Sequence, residues 1–510
     1  MKVLHWCVAV LALCVICVTP PAATHAESGG LLSKLGCALC KVKASRYLSW
    51  MRLGLPLSAV TTEARLLCTV FGGYSAAVCS GVIVRWQDRV LYIARHTSAT
   101  AAEVCGVLIE SCQFSVARRH WAVELPAPSA HHTHRPPAGY GKRLKVLHLA
   151  DIHLQLDYVA GSNAKCKNKL FCCRAKDGFP RVAKKHAAGV WGTYENCDTP
   201  PALLDTMLSH IKYQHPDVAY ILWTGDNAAH DVHATSRRRT IEANRAVTRA
   251  IRHVFPRALV VPALGNHDTH PVNSFPPPHL AGRFSNAWLF SALYDMWRPL
   301  LDNTDLYHGV EHYHSFSETF DPLGYYYIRA AEAGLRILVV NTNYCYRYNF
   351  WTLLEQPDPG GQLQWLARQL AAAEAAGEAV HIVGHVSPGD PGCRPDWSHQ
   401  YSRVVHRFRT TIVAQFFSHT HLDEFQVALD DEGRPFSTIY IAPSVSPWSN
   451  LNPGYKIYYV DDGSWAVTDT ERWVTDLEAA NRSPAAAPVW RRLYSARPAY
   501  GLAALTPAAW

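Results

Sequence analysis

The residues best able to do chemistry stand at five points along the 510-residue chain: Asp151-x-His153, Gly225-Asp226, Gly265-Asn266-His267-Asp268, Gly384-His385 and His419-x-His421. Carboxylate, imidazole and amide groups are donors for zinc and other divalent metals. Each point closes an apolar run, and a buried Asp or His is costly unless it is paired or metal-bound. Five such endings in one chain argue for a metal centre rather than five separate structural contacts. The first run, LKVLHLADIHL from Leu144 to Leu154, sets the pattern: Val146, Leu147 and Leu149 leave almost no polar face, as in a buried strand. If the chain stays extended, Asp151 and His153 point the same way and form half of such a site.

The elements that must position these groups follow from the same runs. VAYILWTGD (218–226), ALVVPALGNHD (258–268), LRILVVNTN (335–343), AVHIVGH (379–385) and TIVAQFFSHTH (411–421) all read as buried strands. Helical patterns fill the gaps, including Ser236–His253 and Gln362–Ala376. The alternation predicts an α/β sandwich over 144–462, with mixed sheets, helices outside and the chemistry on loops at strand ends. A loop and a final hairpin are expected after Pro443, and an Ala/Pro-rich helical tail over 463–510.

The front of the chain is different in kind. Met1-Lys2, an apolar stretch from Val3 to Val18 and small residues up to Ala26 read as a signal peptide over 1–26, with a Thr-x-Ala cleavage site. No later run is long and apolar enough for a membrane span, so the expected product is soluble or peripheral, secreted or lysosomal. Cys7, Cys14 and Cys17 leave with the leader, and the remaining twelve of fifteen cysteines form an even set suited to disulfides. Six of them, Cys37, Cys40, Cys68, Cys79, Cys105 and Cys112, fall in a small segment over 31–118 with helical spacing. So short a domain buries little core, which disulfides would offset, and six cysteines allow fifteen pairings. A Pro/His-rich linker follows over 119–143; its His131, His132 and His134 read as solvated rather than metal-binding. The net charge of +8, without a long Lys/Arg block, excludes a nucleic-acid polymer as the expected partner and suits an anionic lipid surface or a phosphate-bearing substrate.

Read together, DxH…GDxxxHD…GNHD…GH…HTH resembles the signature of the calcineurin-like metallophosphoesterases. The six-cysteine segment resembles a small all-α saposin-type domain. That pairing of domains, with WTGDNAAHD, ALGNHD, PGGQLQWL and LNPGYKIYYVD, is similar to the sphingomyelinase branch of the family. The resemblance implies two Zn²⁺, one held by Asp151, His153 and His421, the other by Asn266, His385 and His419, with Asp226 bridging. Two cations about 3.5–4 Å apart polarise a phosphoryl group and activate water. It further implies His267 as general acid with His230 assisting or binding phosphate, an order that could be reversed. Asp268 would orient His267 or tie down its loop, and Trp448 would offer an aromatic face to a quaternary ammonium. The implied disulfides are Cys37–Cys112, Cys40–Cys105, Cys68–Cys79, Cys166–Cys172, Cys173–Cys197 and Cys345–Cys393.

The activity so implied is hydrolysis of sphingomyelin to ceramide and phosphocholine by a monomer whose saposin-type domain engages the bilayer. The alternatives are a phosphodiesterase for nucleotides or other phospholipids and a non-catalytic lipid-binding protein. Three departures from the family pattern stand out. Ser418 replaces a Gly before His-x-His, which predicts a shifted turn; Ser387 replaces a Pro; and the family continues past the position of Trp510.

Overall fold

The structure, a computed structural model, describes residues 31–510 except 55–56, 71, 110–111, 113–120, 129–140, 167–168, 181–185, 303–315 and 355–356. The leader at 1–26 and the linker histidines 131, 132 and 134 lie outside the described residues.

Four helices build the N-terminal domain: α1 (Leu31–Arg52), α2 (Leu57–Val70), α3 (Ala76–His96) and α4 (Ala101–Leu108). The Ser75 hydroxyl accepts from Val78 N at the start of α3, and Thr100 with Glu103 forms a capping box on α4. Their apolar faces bury Ala44, Tyr47, Met51, Val82 and Trp86. Disulfides Cys37–Cys112, Cys40–Cys105 and Cys68–Cys79 staple this small core, as the resemblance implied. The same core continues into Phe350, Trp351 and Leu353 of the second domain. Arg347 crosses the boundary, donating to Gly106 O and Val107 O at 3.0 Å each.

The second domain is a sandwich of two six-stranded sheets. β1 (Arg143–Leu149), β2 (Val218–Trp223) and β3 (Leu259–Pro262) run parallel to one another. β4 (Tyr326–Ala330), β5 (Leu335–Val339), β6 (Ala379–Val386), β7 (Ile412–Ser418), β8 (Glu424–Leu429) and β9 (Pro435–Ile441) form the second sheet, in the order β4-β5-β6-β7-β9-β8. β10 (Gly454–Asp461), β11 (Val467–Thr475) and β12 (Trp490–Ser495) extend the first sheet, whose order is β12-β11-β10-β1-β2-β3. Both faces of these sheets are covered in places, and β3, β5 and β6 are buried at every position. The helices α5 (Pro201–Gln214), α6 (Arg237–Val254), α7 (Ala287–Leu301), α8 (Gln362–Ala376) and α9 (Pro395–Arg407) pack with this core. In α6 the stripe Thr240, Ala243, Asn244, Val247, Thr248 and Ile251 is buried at helical spacing.

One expectation is corrected here. The segment from 463 is not a helical tail: β11 and β12 lie in it, and only the short helices Leu477–Arg482 and Ala496–Tyr500 match the helical reading. The Ala/Pro composition of the tail misled, because VTDTERWVT within it pairs with β10, Tyr455 opposite Trp473, with one irregularity past Tyr459, and buries Trp473 and Val474.

Candidate active site

All five motif points come to one rim of the sandwich, but not in the conformation the strands suggested. β1 stops at Leu149 and β2 at Trp223, so Asp151, His153 and Asp226 stand on loops. Asp151 (φ 50°), His153 (42°), Asp226 (57°), His419 (79°) and His421 (65°) all occupy left-handed backbone. The extended-chain reason for aiming Asp151 and His153 together therefore fails: both sit in left-handed backbone while the chain runs on beside residues 225–228. Non-glycine residues held at positive φ cost of order 1–3 kcal/mol each and cluster at functional sites.

The ligand atoms form two adjoining groups. Those of Asp151, His153 and His421 lie within 4.8 Å of one another, as do those of Asp226, His385 and His419. Asp226 Oδ2 lies 3.5 Å from His153 Nε2 and 3.3 Å from His385 Nε2, so one oxygen is common to both groups. The Asn266 Oδ1 atom sits 3.0 Å from His385 Nε2. Backbone carbonyls fix the rings: His153 Nδ1 pairs with Ala228 O at 2.9 Å and His385 Nδ1 with Thr224 O at 2.8 Å, leaving each Nε2 for the site. Such outer partners orient metal-binding imidazoles. Ser418 places its hydroxyl 3.0 Å from His385 Nδ1 and joins that outer layer.

These donors fit a divalent cation. His153 Nε2 and His421 Nε2 face each other at 3.2 Å, as do His385 Nε2 and His419 Nδ1. Asp151 Oδ1 is buried with no hydrogen-bond partner among the described residues. Burial, opposed by His385 and reinforced by Asp226, pushes the Asp151 carboxyl up to about 7. For His385 burial disfavours the charge, but Asp226 and Asp151 outweigh it and carry the imidazole up to about 9. Burial and the neighbouring His385 hold His419 down to about 3. The acidic groups that draw a proton onto His385 would equally favour a bound cation among these donors.

His230 and His267 form a third such group with His153, their ligand atoms also within 4.8 Å of one another. The His230 and His267 rings are 4.6 Å apart and both approach His153, at 3.8 and 4.8 Å. Among the described residues His267 Nδ1 is buried without a hydrogen-bond partner, and burial holds that imidazole down to about 4. Asp268 does not orient it; its carboxylate accepts from the backbone N–H groups of Gly265, Asp226 and Asn227 and ties the loop down.

Sequence reasoning missed Asp198. Its carboxylate lies 2.9 Å from His230 Nδ1, accepts His230 N at 2.7 Å and takes the Ser446 hydroxyl at 2.8 Å. Trp448 is 4% exposed and stacks on His230 at 4.3 Å and 7°, so it backs that imidazole. The remaining disulfides, Cys166–Cys172, Cys173–Cys197 and Cys345–Cys393, brace the flanking insertions.

Residues 144–423 match the family described as calcineurin-like phosphoesterase. The sphingomyelin phosphodiesterase of Homo sapiens is 37% identical over 486 residues, covering 93% of this chain and 74% of that protein. Sphingomyelin phosphodiesterase 1 of Caenorhabditis elegans is 31% identical over 490 residues, covering 93% and 83%. Acid sphingomyelinase-like phosphodiesterase 3b of Homo sapiens is 33% identical over 375 residues, covering 70% and 76%.

Proposed function

We propose that this chain, which belongs to the calcineurin-like phosphoesterases and among them to the sphingomyelin phosphodiesterases, hydrolyses sphingomyelin to ceramide and phosphocholine. It is a phosphoric diester hydrolase. One observation carries the reading: the single Asp226 oxygen shared by two clusters of metal-type donors at the sandwich rim.

The family implies divalent metal, and the His/Asp clusters can hold it. We assign two Zn²⁺, which the imidazole, carboxylate and amide donors suit: Asp151, His153 and His421 for one, Asn266, His385 and His419 for the other, and Asp226 for both. When bound, such a pair polarises the phosphoryl group and lowers the pKa of water in the site. The residues of the chain do the rest. Asn273 Oδ1 accepts from Asn266 Nδ2 at 2.9 Å and so leaves Asn266 Oδ1 to the site. Asp198 occupies His230 Nδ1 and leaves Nε2 to meet a phosphoryl oxygen. His267 or His230 passes a proton to the ceramide oxygen as its bond to phosphorus breaks, while a water gives up a proton and supplies the new P–O bond.

Lipid access fits the N-terminal domain. Leu39, Val42, Leu53, Leu66, Val70 and Val84 are exposed on it, and its helices line a partly open apolar groove walled by Met51, Trp86 and, from the catalytic domain, Phe350. Among the described residues no helix is long and apolar enough to cross a membrane. Together with six disulfides these features support a secreted or lysosomal enzyme acting at a bilayer that carries anionic lipid.

The test is turnover of sphingomyelin liposomes and of a nucleotide diester at pH 5 and pH 7. Lipid turnover supports the assignment. Turnover of the nucleotide diester alone overturns it.

A further inference from the structure

We infer that α3 of the N-terminal domain positions the hydrolytic machinery itself, through Arg85 and Arg89, which hold the two loops carrying His230 and His267. The inference rests on the phosphodiesterase reading and gives the small domain a role that needs no membrane.

The two arginines are four residues apart and share one face of α3. Arg85 Nε donates to Thr235 O at 2.8 Å, in the loop that begins at His230. Arg89 Nε donates to the Ser274 hydroxyl oxygen at 3.2 Å, in the loop that begins at Asn266 and His267. Each guanidinium is also anchored to its own helix, Arg85 Nη1 to Gly81 O at 2.7 Å and Arg89 Nη1 to Arg85 O at 3.1 Å, so the helix position passes directly to both loops. The approach is close: a Cβ on Gly81 would lie 2.3 Å from His233 O, which is why glycine stands there.

Both contacts lead to the reacting groups within a few residues. The Ser274 hydroxyl also accepts from Trp351 Nε1 at 2.9 Å, and Ser274 O accepts from Asn286 Nδ2 at 2.8 Å, so Ser274 is a fixed point. Its neighbour Asn273 bonds Asn266 twice, backbone N to Asn266 O and side chain to side chain, each at 2.9 Å. On the other loop Val232 N donates to His230 O at 2.8 Å, and Ala234 N donates to Asp231 O at 2.7 Å, a tight turn that ends at Thr235. A shift of one loop against the other changes the 4.6 Å spacing of the two imidazoles. Displacements of about 1 Å can cost about a hundredfold in rate.

The experiment uses the full chain, with bis(p-nitrophenyl) phosphate as a water-soluble diester and hydrogen exchange as a second readout. Arg89→Met should lower kcat about tenfold, with KM and bound metal unchanged, and Arg89→Lys should restore part of the loss. Adding Ser274→Ala to Arg89→Met should cost little more, because both break one link. In Arg85→Met/Arg89→Met, amides of 230–236 and 266–275 should exchange faster while the sheets stay protected; if that double variant does not fold, the Arg89→Met and Arg89→Lys pair supplies both readouts. Wild-type kcat on the soluble diester, with loss confined to liposomes, would overturn the inference, as would unchanged exchange in both loops. If the parent protein cleaves no diester, the hydrolase reading fails, and the exchange data still decide the positioning role.

Discussion

Asp198 Oδ1 and His230 Nδ1 lie 2.9 Å apart, with His230 N and the Ser446 hydroxyl donating to the same carboxylate. Trp448 closes one face of the ring. The imidazole is thus fixed in tautomer and plane before any substrate arrives. Asp198→Asn keeps the size but exchanges an acceptor oxygen for a donor group. It should lower kcat on a soluble diester about 10–100-fold, with bound metal unchanged; parallel kinetics and metal analysis check this.

His267 should separate chemistry from metal binding. Its ring sits 4.6 Å from His230, and its backbone N donates to Asp226 Oδ1 at 2.7 Å, a bond that a substitution retains. His267→Ala should abolish measurable turnover while metal content stays near that of the parent protein. Loss of metal would make His267 a ligand.

Gly265 is a steric keystone of the same site. A Cβ there would lie 2.1 Å from Asp226 Oδ1 and 2.3 Å from Asp226 N. Gly265→Ala should therefore displace the shared carboxylate and empty the centre, although the sheets behind it remain. Metal content should fall while far-UV circular dichroism is retained.

Stability should fall with acidity, and His215 shows why. It packs under Trp473 and Tyr455, and burial, with Lys145 adding to it, holds its imidazole down to about 4. The folded value lies below the unfolded one of 6.5, so between those pH values the unfolded chain binds more protons and stability drops as pH falls. His233 and His270 are likewise held down to about 4 by burial, with arginines contributing. His215→Gln should remove about 1–3 kcal/mol of this pH dependence. Urea midpoints at pH 7 and pH 4.5, compared with the parent protein, measure it.

Much of the centre was legible because metal ligands are out of place at the end of an apolar strand. Asp151, His153, Asp226, Asn266, His385, His419 and His421 announce themselves as candidate ligands by that conflict alone, and five lie on a backbone that ordinary residues avoid. Asp198 gave no such signal. It sits in a cysteine-rich insertion, and it reaches His230 because Cys197 is bonded to Cys173 and Asp198 N donates to Gln155 Oε1. At Trp448 residue type does not reveal that one ring face lies against His230. β11 and β12 were hidden by an Ala/Pro-rich composition, and their pairing depends on partners that local pattern does not contain. Arg85 and Arg89 belong to another domain, so no local pattern could link them to the catalytic loops.

The most direct measurement is a metal titration of the chelator-stripped protein, followed by turnover of sphingomyelin liposomes. Activity should vanish on stripping and return as Zn²⁺ is added, reaching its plateau at two ions per chain, with Asp226→Asn failing to recover. Sphingomyelin turnover that persists in the stripped protein would contradict it.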